Sequence, residues 1–78
     1  MMLYADKPIP LYKQLYHQLR RQIEEGNYRV GEKLPSVRRL AADCGINRLT
    51  ARKALELLEH EGYVRVQHGR GTFVCAGH

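Results

Sequence analysis

The residues of this chain that can do chemistry are mostly bases. Arg38, Arg39, Arg48, Arg52 and Lys53 fall between positions 38 and 53 against a single acid, Asp43. His68 and Arg70 stand further on, interleaved with Gly69 and Gly71. Guanidinium groups pair with phosphate oxygens and form two-pronged hydrogen bonds to guanine O6 and N7. The parts of an enzyme are missing. There is no paired-carboxylate arrangement, no glycine-rich phosphate loop between a strand and a helix, and no Cys/His nucleophile pair with an orienting acid. Cys44 and Cys75 are the only cysteines, too few for a disulfide framework or a zinc spacing. His60 stands alone, so no metal site and no cofactor site is expected.

Two amphipathic segments must position these bases. Val37, Leu40 and Ala41 recur at helical spacing, and so do Ala51, Ala54, Leu55 and Leu58. Ser36 is a cap for the first helix and Asn47 for the second. Gly45 supplies the unusual backbone of a tight turn, and Ile46 packs back as a hydrophobic staple. Helix, short turn and capped helix make a helix-turn-helix. At 100° per residue from Arg48, the apolar stripe of the second helix centres near 290°, so its outer face lies at about 110°. Leu49, Arg52, Lys53 and Glu56 point that way, with Arg48 flanking them near the cap. Bases at a helix N-terminus oppose the usual dipole preference and suit phosphate and base edges in a major groove. Arg38 and Arg39 lie on the helix that crosses the DNA backbone, where a phosphate role is expected.

The remaining chain frames this unit. Residues 1–10 are an arm, because Pro8 and Pro10 forbid a regular helix. Residues 11–25 read as a helix with Tyr12, Leu15, Tyr16, Leu19 and Ile23 on one face, the tyrosines at the rim of the core. Residues 26–35 are a turn-rich link in which Tyr28 and Val30 plug the core and Lys33-Leu34 form a one- or two-residue strand. Glu56, Glu59 and Glu61 are a solvated face leading away from the DNA, with Gly62 as the C-cap. Residues 63–75 read as a hairpin turning at His68-Gly69-Arg70-Gly71, in which Phe73 and Val74 close the core. A hairpin after a helix-turn-helix is a wing, and Arg70 at its tip suits a narrow, electronegative minor groove. Residues 76–78 read as a cut end or the start of a linker.

Seventy-eight residues make one small domain with a formal net charge of +5 and a pI of about 9.6. That balance permits an anionic partner. No apolar run approaches membrane-spanning length and no secretory signal is apparent, so a cytoplasmic location and no membrane partner are expected. The fold class expected is mainly α with a small β-hairpin, a three-helix winged helix-turn-helix over residues 11–75. Two rival functions use the same core. A protein-interaction winged helix would not need arginines on its second helix. RNA binding is disfavoured because the A-form major groove is too narrow to read and no aromatic platform for single strands is evident.

The stretch from residue 9 to residue 75 resembles the N-terminal winged-helix domain of the GntR family of bacterial transcription regulators. The resemblance is carried by the PLY opening, GEKLPSVRRLA, NRLTARKAL, LEHEG and the GRGTFV ending. It implies a dimeric, sequence-specific binder of double-stranded DNA, usually a repressor acting on a palindromic operator. The family's DNA-contacting positions match Arg38, Asn47, Arg48, Thr50 and Arg52, and its wing-tip residues match His68 and Gly69. One departure stands out. Leu49 occupies a position usually held by serine or threonine, and leucine can pack on a thymine methyl but cannot hydrogen-bond a base or a phosphate. The family normally adds a C-terminal effector-sensing domain that supplies much of the dimer interface. None is present in these residues, so a small-molecule effector is expected only through a domain outside them. That domain could be chorismate-lyase-like, a short helical tail or aminotransferase-like.

Overall fold

The computed structural model describes residues 2–75. The expectation for residues 76–78 falls outside them. Three helices, α1 (Leu11–Glu24), α2 (Val37–Cys44) and α3 (Arg48–His60), precede a hairpin of β1 (Val64–Gln67) and β2 (Gly71–Val74). The α1 helix starts directly after the second proline, and the Pro10 carbonyl accepts the N–H groups of Lys13 and Gln14 at 3.0 and 3.1 Å. The α2 helix starts at Ser36, whose hydroxyl accepts the Arg39 N–H at 3.1 Å. It stops at Gly45, whose φ of 67° lies in the left-handed region. The Ile46 N–H returns to the Ala41 carbonyl at 3.0 Å, and the Ile46 side chain packs against the core. Asn47 then caps α3 through the Thr50 N–H at 2.9 Å.

The core lies where α3 meets α1 and α2. Ala51, Ala54 and Leu58 on α3, and Leu15 and Leu19 on α1, are fully buried. Alanines at the crossing let the helix backbones approach closely, while Leu40, Leu55 and Leu34 fill the space around them. Replacing Leu58 by alanine is expected to cost about 2–5 kcal/mol. In a domain this small that is a large share of total stability, about 5–15 kcal/mol in ordinary proteins. A urea melt followed by circular dichroism checks it, and a loss below about 1 kcal/mol would mean the core collapses to fill the gap.

The hairpin is antiparallel, with Val64 opposite Val74, Val66 opposite Thr72 and Gln67 opposite Gly71. Lys33 forms the expected minimal third strand as a single bridge to Phe73. Around it Leu34 N–H donates to the Thr72 carbonyl at 2.8 Å, and Val74 N–H donates to the Glu32 carbonyl at 2.9 Å. Strand alternation corrects one expectation. Thr72 and Val74 point inward, so Phe73 turns to the opposite face and stays half-buried beside Arg65. In the link, Tyr28 packs on the core but Val30 is 65% exposed and plugs nothing. The C-cap of α3 is Glu61, and Gly62 follows it at φ 85°.

A polar bracket ties the wing base to α1. The Tyr63 hydroxyl donates to Glu24 Oε2 at 3.1 Å, and the Arg20 guanidinium lies 5.4 Å from the Tyr63 ring centre. Burial pushes the Tyr63 hydroxyl pKa up, and the hydrogen bond to Glu24 adds to the shift. The arm is clasped to α1 rather than loose. The Gln14 side-chain amide accepts the Tyr4 N–H and donates to the carbonyls of Tyr4 and Ile9, each at 2.8 Å. Gln18 holds the Met2 carbonyl at the same distance.

Candidate nucleic-acid interface

The outer face of α3 lies where the angular count puts it. Leu49 is 71% exposed, and Arg48, Arg52, Lys53 and Glu56 are exposed with it. Arg38 and Arg39 are exposed in the first turn of α2. Among the described residues, Arg38, Arg48, Arg52 and Arg70 form no ion pair. Arg39 lies 3.6 Å from Asp43 one turn on. Both side chains of that pair are more than half exposed, and so open an ion pair contributes little. The bases of this face are therefore available to an anion.

Between α3 and the wing runs an open cleft of about 860 Å³. Arg52 lines it from the helix, and His68, Gly69 and Arg70 line it from the wing tip. Gly69 has a φ of 78°, a conformation that glycine adopts without strain. The turn closes with Arg70 N–H donating to the Gln67 carbonyl at 2.9 Å. A recognition helix beside an adjoining basic loop fits a duplex whose major groove takes the helix while the loop reaches the neighbouring groove. Cys44 is half-buried, and burial pushes its thiol pKa up. Among the described residues no group of three His, Cys, Asp or Glu could hold a metal ion. No helix there is long and apolar enough to cross a membrane.

Residues 11–74 match the model of the gntR family of bacterial regulatory proteins. The chain belongs to the GntR family. Over 74 residues it is 43% identical to the HTH-type transcriptional repressor NagR of Bacillus subtilis, a match covering 95% of this chain and 30% of NagR. Among solved structures it is similar to the GntR-family transcription factor YtrA of Sulfolobus acidocaldarius, at 37% identity and a TM-score of 0.88, covering 96% of this chain and 79% of that one. The DNA-binding domain of AraR in complex with operator ORX1 superposes with a TM-score of 0.90 at 29% identity, covering 96% and 95% of the two chains. The chain thus spans less than a third of NagR but nearly all of the AraR domain that sits on DNA. It is a GntR-type DNA-binding domain with a winged helix-turn-helix fold.

Within this GntR domain the expected site residues fall into two groups. Arg52, His68, Gly69 and Arg70 share the cleft. Arg38, Arg39, Asn47, Arg48, Leu49, Thr50 and Lys53 lie outside its lining, on α2, the turn and the first turns of α3. Asn47 and Thr50 are partly committed to each other. Asn47 Oδ1 accepts both the Thr50 N–H and, at 3.0 Å, the Thr50 hydroxyl. The Asn47 amide N–H₂ and the Thr50 hydroxyl lone pairs remain to meet a ligand. The Lys53 ammonium lies 4.7 Å from the ring centre of Tyr12 on α1, which steers a flexible base and brings a helix outside the helix-turn-helix up to the interface. The sequence marks Tyr12 as a core-rim residue, with contact between this helix and a DNA backbone only as the lesser alternative.

Glu56, Glu59 and Glu61 are exposed, as a solvated face would be. Glu56 and Glu59 also line the cleft with Arg52, which the sequence reading did not anticipate. At 100° per residue, both lie within about 40° of Arg52 around the helix, and the wing folds over that side. Lys33 and Gln67 also line the cleft, whereas the sequence marks Lys33 only as part of a short strand and Gln67 only as a strand residue. Lys33 owes its place to the bridge with Phe73.

Proposed function

We propose that this chain is the operator-reading part of a bacterial transcription regulator, a cytoplasmic repressor that binds a palindromic operator as a dimer. Residues 11–75 form the DNA-binding unit and residues 1–10 an arm against it. Effector sensing and most of the dimer interface belong to a domain outside these residues. The observation that carries the reading is the set of exposed arginines on α2, α3 and the wing that have no carboxylate partner among the described residues. A merely solvated helix would pair or disperse such charges. The name of NagR as a repressor and the operator complex of the AraR domain support the regulatory reading.

The roles divide by position. Arg48 and Arg52 read base edges in the major groove, with Leu49 against a thymine methyl and Asn47 and Thr50 at the groove edge. Arg38, Arg39 and Lys53 hold phosphates. His68, Gly69 and Arg70 enter the flanking minor groove. Selection of bound duplexes from a random library tests the reading, with the natural full-length protein run beside this domain. The expected product is an inverted repeat whose half-sites are centred about 10 bp, or a multiple of one helical turn, apart. Absence of any enriched sequence from both proteins would overturn it.

A further inference from the structure

Glu59 is one of two acids, with Glu56, in a cleft that Lys33, Arg52 and Arg70 otherwise prepare for an anion. It shares the lining with Arg52 and Arg70, yet it pairs with neither among the described residues. Its carboxylate is used elsewhere, with Oε2 accepting the backbone N–H of Val66 on β1 at 3.1 Å.

The sheet register explains why that N–H is available. Opposite residues of an antiparallel ladder alternate between pairs that exchange hydrogen bonds and pairs that do not. Thr72, opposite Val66, turns its carbonyl outward to the Leu34 N–H. The Val66–Thr72 pair is therefore a non-bonded one, and the Val66 N–H projects from the free edge of β1 toward α3. One side of the hairpin is held by residues 31–34 through backbone bonds. On the other side, at Val66, the hairpin is held by the Glu59 carboxylate of α3. Val66 stands one residue before Gln67, where the turn begins, so the attachment is close to the tip that carries His68 and Arg70.

We infer that Glu59 is a positioning residue that fixes the wing against the recognition helix through the Val66 N–H, and so sets the separation of Arg70 from Arg52 across the cleft. The wing-tip consequence rests on the reading of Arg70 as a minor-groove contact. The strut itself does not. A charged acceptor suits this task, because hydrogen bonds to ionised groups are shorter and stronger than neutral ones. Its charge opposes phosphate approach, so the residue is tolerated at the interface for its geometry.

Two variants separate geometry from charge. Glu59→Gln keeps a carbonyl acceptor for the Val66 N–H and loses the charge. Glu59→Ala loses both. In the DNA-free domain, residual dipolar couplings should report the native wing orientation in Glu59→Gln and a changed or averaged one in Glu59→Ala, with faster exchange of the Val66 amide. On the selected operator, Glu59→Ala should lose about two- to tenfold of the discrimination at base pairs flanking the major-groove site, the size expected from one hydrogen bond. Glu59→Gln should keep that discrimination while affinity for every duplex rises. Identical behaviour of the two variants, or native wing couplings in Glu59→Ala, would overturn the inference. Arg70→Ala, run alongside, isolates the wing reading. If it leaves the flanking pairs unaffected, the minor-groove role of Arg70 falls, and the couplings alone decide whether Glu59 sets the wing.

Discussion

Raising monovalent salt from 50 to 200 mM should lower the affinity of this domain for duplex DNA by roughly a thousandfold. Each phosphate neutralised by a fixed base releases condensed counterions and adds about 0.9 to the log–log slope. Arg38, Arg39, Arg48, Arg52, Lys53 and Arg70 set an upper slope near 5 by that rule. Two of the six need examination before they are counted. Arg39 gives up only a solvated pair with Asp43, which offers little resistance to exchange for a phosphate. Lys53 keeps its full charge over the Tyr12 ring, since a cation–π contact neutralises nothing. The opposing influence is the pair of acids in the cleft, Glu56 and Glu59, which repel phosphate. Fluorescence anisotropy titrations on a labelled duplex at four or five salt concentrations give the slope directly. A slope near zero would mean the arginine face is not the contact surface, and a slope of about 2.7 would confine the contact to the bases of α3, Arg48, Arg52 and Lys53.

The helix-turn-helix was legible because its signals are local. Ser36, Gly45 and Asn47 each act within a few residues of their own position, and all three do in the structure what caps and turns do. The outer face of α3 was legible for the same reason, since one angular period runs the whole helix and brings Leu49 to the surface. The wing followed from β-prone runs on either side of a glycine-rich turn. What escaped was non-local or aperiodic. The link has no period, so Tyr28 and Val30 looked equivalent, but Val30 sits within the turn closed by the Glu32 N–H on the Arg29 carbonyl and stays exposed, while Tyr28 just before that turn packs on the core. The clasp of the arm by Gln14 and Gln18 joins residues 5 to 16 positions apart through side-chain amides, which leaves no pattern in the chain. Glu59 is exposed as its helical position implies, and the same angle sets it beside Arg52. Its contact with Val66 was not legible, because it is decided by a hairpin that begins after the helix has ended.

Replacing Arg48 or Arg52 with alanine should cost about 1–3 kcal/mol at the operator for whichever one reads a base, and should relax preference at one base pair in each half-site. The two stand one turn apart, both exposed and both without a carboxylate partner among the described residues, so neither is diverted from a ligand. Their surroundings differ. Arg48 opens α3 beside the Asn47 cap, where unsatisfied backbone N–H groups already favour a phosphate or a base acceptor. Arg52 lines the cleft toward the wing and stands about one turn from Leu49 and from Glu56 along the helix. Arg38 is the internal contrast. It lies on α2, the helix proposed to cross the backbone, so Arg38→Ala should weaken specific and random duplexes by similar factors. The measurement is the affinity of each variant for the selected operator and for its single-base changes at one fixed salt concentration. If losing Arg48 and Arg52, singly or together, lowered every affinity by the same factor, both would be phosphate contacts. Specificity would then have to reside in Leu49, Asn47, the wing or the shape of the DNA. Leu49→Thr separates the first of these, because a hydroxyl there gains a hydrogen bond and gives up most of the apolar surface that meets a thymine methyl.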